Sequence, residues 1–220
     1  MGSVVDRFWR TLPLPLRQPI FMNDPDIRVL LYPLLQGGVY VDELPTGTTR
    51  ADVVHITEQF MHGYELKGDQ DTLQRVARQL PCYSQAYDFV TFVITEKHLP
   101  KLLPQLPEWV GVLVASEAGL TLHRPARYNA TVERPAVAGL LRVTEIKQYL
   151  LARGLPGVST LRRRDILSFL RTTKLVPLAD LAHFVRRQLM GRMEERLLMR
   201  AERKAERERL ARIRRKRPKR

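Results

Sequence analysis

The chain has 220 residues, 44% of them hydrophobic, enough to bury one main core and a smaller appendage. Its apolar runs, "VLLYPLL" and "FVTFVI", fall far short of a bilayer span, and no charged-then-apolar signal opens the chain, so the expectation is no membrane association and a cytoplasmic address. A lone cysteine, Cys82, excludes an internal disulfide and fits a reducing compartment.

The net charge of +14 is uneven: residues 186–220 hold 16 Lys/Arg against 5 Asp/Glu, leaving 21 against 18 in the rest. A basic tail on a near-neutral body points to a polyanionic partner, nucleic acid first. The plain alternative is a solvated helix kept soluble by its charge.

Residues 1–22 are rich in proline and show no sustained period, which reads as an arm. "NDPDIRVLLYPLL" opens with a capping residue and an early proline and predicts a helix from about Asp24 to Leu35, ended by "QGG". "VYVDEL", "ADVVHIT" and "FMHGYELK" then read as a meander of strands. A helix is expected from Asp69 and Asp71 onward through "VARQLPCYSQAY", with Pro81 set to kink or break it. "FVTFVIT" is a strand covered on both faces, and "WVGVLVA" and "LTLHR" form a last hairpin.

After the loop-like "PARYNATVERPA", three helical stretches follow: "VAGLLRVTEIKQYLLARG", "STLRRRDILSFLRTT" and "PLADLAHFVRRQLMGRMEERLL". The expected organisation is an arm (1–22), an α/β core (23–127), a helical subdomain (136–190) and a basic helical tail (191–220).

Alternate residues of a strand share a face, so Glu65 and Lys67 point the same way, and Gly63 leaves that face open beside them. Asp52 begins the neighbouring strand, so two carboxylates and an ammonium can converge at one sheet end. Hard divalent cations bind through one or two carboxylates plus water and phosphate, and an adjacent lysine can neutralise charge developing on a phosphate. The plain reading of Glu65 and Lys67 is an edge-strand ion pair worth under about 1 kcal/mol. The five histidines show no i,i+4 pair and no cysteine partners, which gives zinc little support. Arg162, Arg163 and Arg164, near a helix start, are placed for phosphate contacts, as are Arg214, Arg215, Lys216 and Arg217 in the tail.

The order helix, strand, strand with Asp52, strand with Glu65-x-Lys67, helix, strand resembles the core of the restriction-endonuclease-like, or PD-(D/E)xK, nuclease superfamily. Gln79 and Tyr83 in "QLPCY" look like the Gln-x-x-x-Tyr element of its RecB-like members. The stretch from Tyr64 to Ile94 also looks like small bacterial and phage proteins of that superfamily. The resemblance covers residues 24–95 and implies a central mixed sheet flanked by helices. It further implies that Asp52 and Glu65 ligate Mg2+ or Mn2+, that the Leu66 carbonyl adds a ligand and that Lys67 assists attack by water. Glu43 is the nearest candidate for the extra acid that some branches carry, and Gln79 and Tyr83 would support the lysine or touch backbone. The activity so implied is hydrolysis of phosphodiester bonds in DNA, with RNA also open as substrate and a homodimer as one way to cut two strands. The alternative is a non-catalytic nucleic-acid-binding or accessory protein on an inactive nuclease scaffold.

Overall fold

The computed structural model describes residues 21–216, and from residue 209 onward the helical backbone alone. All but the end of the expected arm, and Arg217 at the other terminus, lie outside the described residues.

Helix α1 (Asp24–Leu31) forms because its start satisfies itself: Asp26 N donates to Asn23 Oδ1 at 3.2 Å and Asn23 N donates to Asp26 Oδ2 at 3.0 Å. Pro25 lies in the first turn, where a missing N–H costs nothing. A 3-10 turn, Tyr32–Leu34, completes it.

The sheet comprises β1 (Val39–Thr46), β2 (Thr49–Ile56), β3 (Met61–Lys67), β4 (Phe89–Thr95), β5 (Gly111–Ser116) and β6 (Gly119–Arg124), side by side in chain order. Pairing is antiparallel except at β3–β4 and β4–β5, which are parallel. Parallel neighbours need crossovers. Helix α2 (Val76–Ala86) supplies the first, and α3 (Leu99–Leu102) lies within the second. The β1–β2 reversal is a tight turn at Gly47, whose φ of +60° a Cβ would strain.

One sheet face packs under α1, where Ile27 and Leu31 meet Val53, Tyr64, Leu66 and Val93. The other face carries α2 and the C-terminal helices α4 (Arg134–Gly139), α5 (Val143–Ala152), α6 (Arg163–Thr172) and α7 (Leu178–Lys216). There one apolar cluster runs unbroken from Val54 and Phe92 through Tyr83 and Tyr87 to Ile146, Ile166 and Val185. The helical unit thus shares the core of the sheet. Strand β4, covered on both faces, is buried from Val90 to Thr95, as its unbroken apolar run requires.

Two local expectations are corrected and a third, at Pro81, is narrowed. Helix α2 starts at Val76, because Asp69 and Asp71 serve the preceding loop: Met22 N donates to Asp69 Oδ2 and Gly68 N to Asp71 Oδ2, each at 2.8 Å. Pro81 does not end the helix, which runs on to Ala86 with Val76, Gln79, Tyr83 and Ala86 buried, so burial of that face outweighs one lost backbone bond. The stretch 137–154 is two helices, broken between Gly139 and Val143.

Candidate active site

Strands β2 and β3 pair from Ile56↔Met61 to Val53↔Tyr64 and then part. Asp52 is the first residue past the parting, and its Oδ2 accepts the freed N–H of Leu66 at 2.7 Å. A strand residue presents its N–H and C=O to the same side, so the Leu66 carbonyl also faces this gap. A hole in the ladder thus collects oxygen atoms.

Beside it, Glu65 is held by three donors. Lys67 Nζ lies 2.5 Å and Gln79 Nε2 2.6 Å from Oε1, while the Tyr83 hydroxyl donates to Oε2 at 2.7 Å. Glu65 and Lys67 alternate on β3, and Gln79 and Tyr83 sit one helical turn apart on the buried face of α2, so strand and helix periods converge on one carboxylate. Glu65 is 0% exposed and Lys67 1%, so the edge-strand surface pair does not describe them. A charge pair this deep survives only when its remaining lone pairs are satisfied, which is what Gln79 and Tyr83 do.

The electrostatics mark the same spot. Burial, and then the neighbouring Glu65 carboxylate, push Asp52 up from the usual 3.8 to about 7, with the Leu66 N–H and Lys67 opposing the shift. Two acids close enough to repel each other in a low-dielectric site are what a hard cation would relieve. Burial and Glu65 also raise the Tyr83 phenol far above its ordinary value, so it stays a donor.

The sequence-predicted residues therefore divide. Asp52, Glu65, Lys67, Gln79 and Tyr83 come together with the Leu66 main chain. Glu43 is engaged elsewhere: its carboxylate takes Arg28 Nη2 at 2.9 Å and Arg50 Nε at 2.7 Å. Its φ of +56° is in the left-handed region, an uncommon and strained place for a glutamate. Gly63 opens no space, because a Cβ there would sit 2.5 Å from the Tyr87 ring. The glycine is present to admit the ring.

Two residues escaped the sequence reading. Asp24 adds to the negative field on Asp52. Arg28 bonds Asp24, Asp42 (2.8 Å), Glu43 and the Asp52 carbonyl (2.9 Å), tying α1 to β1 and β2. Asp24 stands in the first turn of a helix, where an acid is already explained by the helix itself, so no signal set it apart.

Of the arginines expected to meet phosphate, Arg164 is solvent-exposed, whereas Arg163 turns inward and donates to the Leu141 carbonyl at 2.9 Å and to that of Gly139. Arg214, Arg215 and Lys216 lie on the α7 backbone path. His62 turns from Glu65: it stacks on Tyr64 with ring centroids 4.2 Å apart and bonds Thr91 Oγ1 at 2.8 Å. Among the described residues no group of three or more His, Cys, Asp or Glu is placed to hold an ion. A cation at this centre would rest on Asp52, Glu65 and main-chain oxygen, a donor set of the hard type.

A family model described as bacteriophage P4 protein cII matches residues 35–214. No curated protein matches the chain. A solved structure, the SPO1766 protein of unknown function from Silicibacter pomeroyi, is similar at 17% identity with a TM-score of 0.39, over 61% of this chain and 90% of that one.

Proposed function

We propose, from the premise that this chain belongs to the family of bacteriophage P4 protein cII, that it is a divalent-cation-dependent nuclease hydrolysing phosphodiester bonds in DNA on a restriction-endonuclease-like core. The observation that carries the reading is the convergence of Asp52, Glu65 and Lys67 where β2 and β3 part, with Gln79 and Tyr83 closing on Glu65.

Asp52, Glu65 and the Leu66 carbonyl would hold Mg2+ or Mn2+, which supplies Lewis-acid polarisation of phosphate and bound water. The chain's own groups supply the rest. Lys67 Nζ, the donor nearest the acids, would balance negative charge developing on the phosphate and hold a proton for exchange with water. Gln79 and Tyr83 fix the Glu65 carboxylate so that it needs no reorganisation, and α1, through Arg28, pins the Asp52 backbone. To serve as a ligand, Glu65 would have to share the oxygen that now takes Lys67 and Gln79.

A second reading has its own observation: both Glu65 oxygens are already satisfied within the protein and the residue is 0% exposed. On that reading the nuclease-like scaffold is inactive, and the chain binds nucleic acid or a partner without cutting. Incubation with plasmid and single-stranded DNA in the presence of Mg2+ or Mn2+ separates the two. The nuclease reading expects nicking or degradation that Asp52→Asn abolishes while DNA binding survives. DNA left intact by the wild type under both metals supports the inactive scaffold.

A further inference from the structure

Between strand β1 and the helical unit lies a cleft of about 420 Å³, lined by Leu44, Arg142, Arg163, Arg192 and Arg196 together with Asp42 and Glu43. The two acids do not neutralise it, because four arginines line the cleft against them, and Asp42 and Glu43 also share Arg28 while Glu43 holds Arg50. Arg163 and Arg192 are the half-buried cations of the cleft, and Arg142 and Arg196 the exposed ones; Arg192 is the less satisfied of the inner pair. Its Nη2 donates to the Leu140 carbonyl at 3.2 Å, but its buried Nε has no hydrogen-bond partner, the Glu145 carboxylate standing 3.5 Å away. Burial depresses the Arg192 pKa, Glu145 opposes the shift, and the like charges of Arg142 and Arg196 add to it.

The positive charge continues out of the cleft along α7. Arg192, Arg196, Arg200, Arg203 and Arg207 follow one another at steps of four, four, three and four, the spacing that keeps residues on one face of a helix. The stripe rises about 22 Å along the axis. That length spans about six phosphates of one nucleic-acid strand. Among the described residues no carboxylate pairs with Arg196, Arg200, Arg203 or Arg207.

We infer that the arginine cleft and the α7 stripe form a track for a nucleic-acid phosphodiester backbone, with Arg192 and Arg196 at its inner end. A linear row of guanidinium groups leading into a concave cationic end matches a linear polyanion, whereas a bilayer surface would need a flat or convex contact. The track goes beyond the cleavage reading and does not depend on it, because its test reads binding alone. It also differs from the placement the sequence suggested, since Arg163 lines the cleft from inside, with two of its nitrogens already on the carbonyls of Gly139 and Leu141.

The experiment measures binding of the full chain to fluorescein-labelled single-stranded and duplex oligonucleotides across a salt series with no divalent cation, so that no cutting intervenes. Three variants are compared with wild type: Arg142→Gln with Arg196→Gln at the cleft mouth; Arg200→Gln, Arg203→Gln and Arg207→Gln on the stripe; and, as charge-matched control, Arg164→Gln, Arg171→Gln and Lys174→Gln on α6 and the loop after it. All of these side chains are exposed, so folding is preserved. The track expects the stripe variant to flatten the slope of log affinity against log salt by about two to three units and to weaken binding at least about tenfold, with a smaller loss at the cleft mouth and no change in the control. Equal losses in stripe and control, or none in either, overturn it. So does binding to phosphatidylserine vesicles without binding to either oligonucleotide. Binding along the track by a wild type that leaves DNA intact under both Mg2+ and Mn2+ would count against the active-site reading and leave the track standing.

Discussion

The ammonium of Lys67 lies 2.5 Å from Glu65 Oε1 with both side chains sealed from solvent. Removing one member of such a pair leaves an unpaired charge in the interior. Glu65→Gln and Lys67→Met, each alone, are expected to destabilise the fold by about 3 to 5 kcal/mol, whereas the two together should cost far less. Urea unfolding of the two single variants and the double variant checks this; additive losses would mean that the two groups do not depend on each other.

Removing the Tyr83 hydroxyl tests the clamp from the helix side. The phenol sits 2.7 Å from Glu65 Oε2 and 2.8 Å from the Arg50 carbonyl. Tyr83→Phe should lower stability by about 1 to 3 kcal/mol, the range for a hydrogen bond to a buried charge, while leaving the helix content in circular dichroism unchanged. A loss within a few tenths of a kcal/mol would show that water replaces the hydroxyl there.

Legibility in the sequence followed the periods. Glu65 and Lys67 were readable as one face of β3, and Gln79 and Tyr83 as one face of α2, because spacing alone fixes which side chains are neighbours. The meander of the first three strands and the covered β4 were readable from apolar runs for the same reason. Glu43 and Gly63 were misplaced because their roles depend on three-dimensional partners: Arg28 and Arg50 for one, the Tyr87 ring for the other. Pro81 left open a kink or a break, and the helix runs through it without a break. Its local penalty is real, but the burial of Gln79 and Tyr83 against Glu65 is a tertiary term that no local rule contains.

Asp52 gives the pH dependence a definite sign. Its pKa is raised on folding from 3.8 to about 7, so the folded chain holds that proton more tightly than the unfolded one. The associated stability is therefore fully present below the unfolded value and lost as pH climbs through about 7. Asp52→Asn removes the repulsion with Glu65, and its melting temperature should exceed that of wild type by a few degrees above neutrality, roughly the response of a chain this size to about 1 kcal/mol. The gap should close on acidification; a gap independent of pH would mean that Asp52 is charged throughout.

The left-handed backbone at Glu43 allows a comparison in which the ion pairs cancel. Glu43→Ala and Glu43→Gly both lose the contacts with Arg28 and Arg50, but only glycine relieves the φ of +56°. The glycine variant should be the more stable of the two by about 1 kcal/mol. Equal melting temperatures would show that the strain is absorbed by the strand.

Calorimetric titration of Mn2+ into the metal-free chain, at about pH 8 where Asp52 is ionised, tests most directly whether the two acids share an ion. The wild type should take up one ion per chain, and Asp52→Asn should bind it at least about tenfold more weakly, as the loss of one of two carboxylate ligands requires. No heat of binding in the wild type, or the same affinity in Asp52→Asn, would contradict the account.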